Sequence, residues 1–199
     1  YEAWVNGLVQ HEDIARELFV ECPLPHPTFL MPRSVYEAAG GYQDHGWPED
    51  YDLVMRVWRA GWLLAKAPEP LLDWRHTSTR LSMTDARYGE AAFRKLKRHY
   101  LTETFLAGER PFYQWGAGEV GKRWLREWAP RPPLGVVDIN PRKIGRRIHD
   151  VGVIAPEALP PPEEAFVVVA VGAPGARDEI RAWFAPRGYV ELRDYLFVA

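Results

Sequence analysis

The chain has one cysteine, three methionines and no marked excess of either charge among its 199 residues. A lone thiol, Cys22, excludes an internal disulfide and a multi-cysteine metal site, and it fits a reducing, cytoplasmic setting. A formal net charge of -2 supplies no basic field for nucleic acid or an anionic membrane surface. No apolar run reaches the ~20 residues of a membrane span, and no leader-type segment opens the sequence. An initiator methionine is also lacking. Tyr1 stands in what reads as the middle of a helix, so a fragment or processed chain is expected.

Tryptophan and proline are abundant, at nine and 18 residues. Tryptophan-rich clefts stack on sugar rings, but tryptophan also fills cores, and the count alone does not choose between them. A hydrophobic content of 47% and a charged content of 26% are ordinary for a globular protein.

Periodicity orders the chain into elements. Apolar residues at Trp4, Leu8, Ile14 and Leu18 predict helix over 1–18. The prolines of ECPLPHP (21–27) remove donors and forbid regular helix there. A short strand at 28–31 and a short helix at 33–41 follow, the helix closed by Gly40 and Gly41. The next helix runs from near Pro48 to Gly61 with an apolar stripe of Leu53, Val54, Val57 and Trp58. Strands are predicted over 62–68 and 71–76, then a long helix over 82–106 capped by Thr84 or Asp85. At 107–111 the rhythm changes to strands alternating with helices, which predicts a parallel sheet. The expected class is α/β, with one domain over 1–108 and a second, parallel-sheet domain over 109–199.

Two patterns carry chemistry. The first is GWPEDYDLVMRVWRAG (46–61), which sets Glu49, Asp50 and Asp52 at a helix start. Acids there are favoured by the helix dipole, each by about 0.3–1 kcal/mol. Pro48 suits the first turn, and Asp52 has Arg56 as an i,i+4 partner. The adjacent pair Glu49–Asp50 is less well explained, because like charges side by side repel.

The second pattern is Gly116, Gly118 and Gly121, a G-x-G-x-x-G between a predicted strand and helix. In dinucleotide sites the first glycine makes the turn, the second lets a pyrophosphate approach, and the third packs helix on strand. Asp138, 17 residues beyond Gly121 at a strand end, stands where such sites place a ribose-binding acid. Tight strand-to-helix packing alone also explains the glycines. No catalytic histidine, Tyr-x-x-x-Lys or reactive cysteine accompanies them, which argues against a dehydrogenase.

The ordered blocks HPTFLMPRSVYEAAGGY, EDYDLVMRVWRAG and the strands ending in WRHTSTRLS (26–82) resemble the acceptor-side half of a family-two, GT-A-fold glycosyltransferase. The resemblance covers roughly residues 20–100. It implies an inverting transfer of sugar from a nucleotide-sugar donor to a glycan or small acceptor, with Asp50 as the base that deprotonates the acceptor and Glu49 holding the acceptor sugar. Trp47 would stack on a sugar face or, equally, anchor the loop. His76 would join a divalent ion, Mg or Mn, or be structural; Arg75 and Arg80 would contact phosphate or pair at the surface. The family's donor-binding half, with its strand-terminal Asp-x-Asp, is not in this sequence, and the DYD at 50–52 lies in the acid-headed helix instead. The resemblance therefore implies a truncated chain, inactive alone, with an apolar edge on which copies associate.

The second half, GAGEVGK…VVDINPRKIG…GVIAPEAL…VVVAVG, resembles small Rossmann-like domains attached to sugar-modifying enzymes, some of which bind nucleotides. Three readings stay open at this level. They are a glycosyltransferase part fused to that domain, a binding module for NAD or a nucleotide sugar, and an assembly domain without chemistry.

Overall fold

Helices and strands separate along the chain. The structure is a computed structural model that describes residues 1–75 and 80–199. It divides into two compact units, Tyr1–Tyr100 and Leu101–Ala199. The sequence reading sets the change of rhythm a few residues later, near Gly108.

In the first unit the described residues form α1 (Glu2–Gly7), α2 (His11–Glu17), α3 (Arg33–Ala38), α4 (Glu49–Arg59), α5 (Leu81–Thr84) and most of α6 (Glu90–Glu103). Short 3-10 turns lie at His26–Thr28 and Ala86–Tyr88. Its core joins the end of α2 to α4 and α6. Phe19 packs edge-on to Trp58 at 5.6 Å and Tyr51 lies 6.0 Å from Phe93. The buried Tyr51 hydroxyl donates to the Leu18 carbonyl, and Lys97 Nζ donates to Val20 O at 2.6 Å. Burial lowers the Lys97 ammonium to about 8.

Several expected elements are corrected here. The helix expected over 1–18 breaks after Gly7, where Leu8 is extended (φ -89, ψ 92). The break frees the Val9 carbonyl to accept from Lys66 N at 3.0 Å, a bond an unbroken helix would forbid. The helix expected over 82–106 breaks at Asp85, whose side chain accepts from Arg87 N at 2.8 Å and caps the 3-10 turn. The strands expected at 28–31 and 62–68 form no ladder among the described residues. Neither do 71–75, and residue 76 lies outside the described residues. Strand-type side chains favour extended backbone, but a strand also needs a repeated ladder of main-chain bonds, and the single Lys66 N to Val9 O bond does not make one.

The second unit holds the sheet. Its strands are β1 (Phe112–Trp115), β2 (Val136–Val137), β3 (Arg147–Ile148), β4 (Val151–Ile154), β5 (Phe166–Val169) and β6 (Tyr195–Phe197). The order is β3-β4-β2-β1-β5-β6, all parallel except the β3–β4 pair. β5 is buried at every position, as the run FVVV requires of a central parallel strand. Register fixes the faces. Phe112 and Gln114 point to one side, against α7 (Glu119–Glu127) and the residue that follows it: Phe112 lies 5.0 Å from Trp128, and Gln114 bonds Gly121. Trp115 points to the other, against α8 (Ala176–Phe184), at 4.8 Å from Trp183 and 5.1 Å from Phe184. The result is an α/β unit with helices on both faces of a mostly parallel sheet. No helix among the described residues is long and apolar enough to cross a membrane.

Candidate functional site

The three acids of α4 have three different environments. Pro48 caps the helix with an extended ψ of 117°, and Glu49, Asp50 and Asp52 occupy the first turn. Asp52 is fully buried. Its Oδ1 accepts from Trp47 Nε1 at 2.9 Å and from the Tyr100 hydroxyl at 2.8 Å, and its Oδ2 accepts from Arg56 Nε at 2.8 Å. The Arg56 guanidinium in turn donates to the Ala39 carbonyl and, at 2.7 Å, to Gly41 O. Asp52 thus ties α4 to the glycine turn that ends α3.

That turn requires its glycines. Gly40 and Gly41 have φ of +80° and +61°, and a Cβ on Gly41 would meet the Tyr36 hydroxyl at 3.0 Å. The turn delivers Tyr42, whose hydroxyl lies 2.7 Å from His26 Nε2. On the other side of the same ring, His26 Nδ1 lies 3.6 Å from Asp50 Oδ2.

Glu49 is held by the Tyr88 hydroxyl, which donates to Oε1 at 2.8 Å; its Oε2 is buried and has no hydrogen-bond partner among the described residues. Asp50 keeps 22% of its side chain exposed and accepts from Tyr51 N at 2.8 Å through Oδ1. Burial raises the Asp50 carboxyl above its ordinary value, the Tyr51 N–H and His26 oppose that rise, and the Glu49 charge adds to it. The result is a partly open carboxylate of increased basicity beside a buried, unsatisfied carboxylate oxygen.

The remaining predicted residues of this unit lie elsewhere. Trp47 belongs to the acid cluster, with its N–H spent on Asp52 and its ring 5.3 Å from His45 and 5.4 Å from His99. Its N–H anchors the loop ahead of α4, and the residue is half-buried. Arg75 and Arg80 line a groove of roughly 1390 Å³ with Leu30, Trp62 and Trp74, and the Arg80 guanidinium stacks 3.8 Å over the Trp74 ring. Asp50 is not among the residues lining that groove. Apolar side chains along the groove are exposed (Leu63 is 78% exposed). His76 lies outside the described residues. Among the described residues no three His, Cys, Asp or Glu side chains are grouped to hold a metal ion. The described donors do not by themselves build a divalent site.

In the second unit the three glycines have unequal roles. Gly116 has φ +115°, and a Cβ there would stand 2.5 Å from Ala170 O. A Cβ on Gly121 would stand 1.9 Å from Gly116 O. Both are required by backbone packing. Gly118, the residue before α7, has ordinary extended angles (φ -82, ψ -169), and a Cβ there would meet nothing within 4 Å. Neither conformation nor internal packing explains it.

Two residues secure the turn. Gln114 Nε2 donates to Gly116 O and Gly121 O, each at 2.9 Å. Asp138 is buried; its Oδ2 accepts from Ala117 N at 2.9 Å and Lys143 Nζ at 3.0 Å, and its Oδ1 accepts from Asn140 N at 2.8 Å. The acid at the expected ribose position is therefore engaged in bracing the glycine turn. The connections from β1 run to β2 on one side, while β5 lies on the other, so the sheet's switch point falls at the carboxyl ends of β1 and β5, beside Gly116 and Ala170.

Sequence reasoning missed His26, Tyr42 and Tyr88. Only HP in the proline cluster and the residue after Gly40–Gly41 marked the first two, and nothing local linked them to Asp50. No protein-family model matches the chain, and no curated protein sequence matches it significantly.

Proposed function

We propose that the first part of the chain, up to about residue 108, is the acceptor side of an inverting GT-A glycosyltransferase of family two, with Asp50 as general base. The observation that carries this reading is the sorting of the α4 acids. Asp52 is consumed by three donors and Glu49 is held at one oxygen, whereas Asp50 stays partly open with raised basicity. A general base works best when its pKa is moved toward the operating pH and its carboxylate is within reach of substrate. Glu49 would orient the bound acceptor from beside Asp50, with its Oε1 held by the Tyr88 hydroxyl. Asp50 would then take the attacking hydroxyl's proton as its oxygen bonds the anomeric carbon and the nucleoside diphosphate leaves.

The test is Asp50→Asn in the natural polypeptide that carries this sequence. Turnover with a nucleotide-sugar donor should fall by about 10²–10⁴, the usual worth of a general base, with donor binding retained. Unchanged turnover would overturn the assignment.

A second reading concerns the Leu101–Ala199 unit, as a small Rossmann-like binding module for NAD or a nucleotide sugar. It is supported by Gly118, a glycine that faces open space at a sheet switch point and at the start of α7. Calorimetry with NAD and with nucleotide sugars should give binding heat that Gly118→Val removes. Absence of heat with every nucleotide would discard it.

A further inference from the structure

We infer that His26 and Tyr42 are positioning residues for Asp50: Tyr42 orients the imidazole so that its Nδ1–H faces the carboxylate and holds it ionised and aligned. The inference rests on the reading of Asp50 as the base and adds residues from outside the acid-headed helix.

The geometry sets the roles. One side of the ring, Nε2, is 2.7 Å from the Tyr42 hydroxyl, and the other, Nδ1, is 3.6 Å from Asp50 Oδ2. A neutral imidazole carries one proton. With the Tyr42 O–H donating to Nε2, that proton is on Nδ1 and points toward the carboxylate. The opposite tautomer would aim a lone pair at an anion, so Asp50 itself selects the first. The ring is further fixed by Phe29 at 5.2 Å and by the Tyr42 ring at 5.4 Å, both tilted against it.

Tyr42 is placed with equal care. Its backbone N–H donates to the Tyr36 hydroxyl at 3.4 Å, and the Tyr36 ring packs 5.8 Å from its own. The turn that delivers it is pinned to α4 by Arg56, which Asp52 holds. A path of direct contacts thus runs from the structural acid to the open one: Asp52, Arg56, the Gly41 carbonyl, Tyr42, His26, Asp50.

The titratable groups around Asp50 are Glu49 on its own helix, His26, Tyr42, Tyr88 and Cys22. Burial pushes the Cys22 thiol up to about 12 and raises both tyrosines, so these three stay neutral across the physiological range. Glu49 disfavours a second charge on Asp50. His26 is the neighbour in this group that favours it. During transfer the acceptor's proton goes to Asp50, and His26 keeps its own.

The experiment is a carbon-13 NMR titration of the carboxyl groups in the chain, with the Asp50 resonance assigned from Asp50→Asn. His26→Ala should raise the Asp50 midpoint by about half a unit or more. His26→Asn, whose side-chain N–H can take the place of Nδ1–H, should restore most of it, and Tyr42→Phe should give a smaller rise. In a transfer assay the acid limb of kcat should move to higher pH in the same order, with the acceptor KM unchanged. An Asp50 midpoint that stays put in both His26→Ala and Tyr42→Phe overturns the inference. If His26→Ala fails to fold, Tyr42→Phe still decides it: a native Asp50 midpoint in that variant would overturn the inference. The underlying reading fails separately, by full turnover in Asp50→Asn.

Discussion

Asp50 in the first unit and Asp138 in the second occupy comparable stations, each beside the start of a helix and each singled out by a sequence pattern. Their surroundings differ. Asp138 receives two backbone N–H groups and a lysine, and its carboxylate is a brace for the turn ahead of α7. Asp50 receives one backbone N–H and a histidine at 3.6 Å, and is left partly open. An acid with three donors on its carboxylate is structural; one with a single backbone donor and a histidine at 3.6 Å, its charge disfavoured by burial, is what the proposed base requires. Position at a helix start does not distinguish them, whereas the count of donors does.

The comparison breaks most violently at the third acid. Asp52→Ala strips the partner from the buried Arg56 guanidinium and should cost about 3–5 kcal/mol, read by chemical denaturation of the chain. A loss under 1 kcal/mol would mean that the network does not hold α4 to the glycine turn. In the second unit, Gly121→Ala forces a methyl into the Gly116 carbonyl and should cost roughly 2–3 kcal/mol. Gly118→Ala meets no neighbour and should change stability by less than about 1 kcal/mol. Equal costs at the two glycines would remove the distinction between a packing glycine and an open one.

The smallest stability effect is expected at Asp50, and its sign is opposite. The folded carboxyl titrates above the unfolded one, so the folded state binds the extra proton between the two values. Stability is therefore lost as pH rises through that window, and the loss persists above it. Asp50→Asn removes the ionisation, so the variant should match the native chain in acid and gain on it at neutral pH. Denaturation midpoints of both proteins across pH check this; a native chain that gains on the variant with rising pH would contradict it.

Much of this was legible in the sequence, and the gaps have physical causes. The acid-headed helix, the Asp52–Arg56 pair, the glycine turn and the strand–helix alternation after 108 follow local rules of spacing and capping. Tyr100 reaches Asp52 across 48 positions and His26 reaches Asp50 across 24, and no local pattern encodes such contacts. The segments at 28–31 and 62–68 carry strand composition, but composition cannot state whether a partner strand exists. Likewise G-x-G-x-x-G announced a turn without saying which glycine is packed and which is open.

The central claim is that Asp50, and neither of its neighbours in the first turn of α4, is the base. Its most direct test is turnover of Asp50→Asn and Asp50→Glu in the natural polypeptide, with donor affinity measured alongside. The account predicts a loss of at least about 100-fold in Asp50→Asn with donor affinity intact, and partial recovery in Asp50→Glu. Turnover in Asp50→Asn within a few fold of the native polypeptide would contradict it.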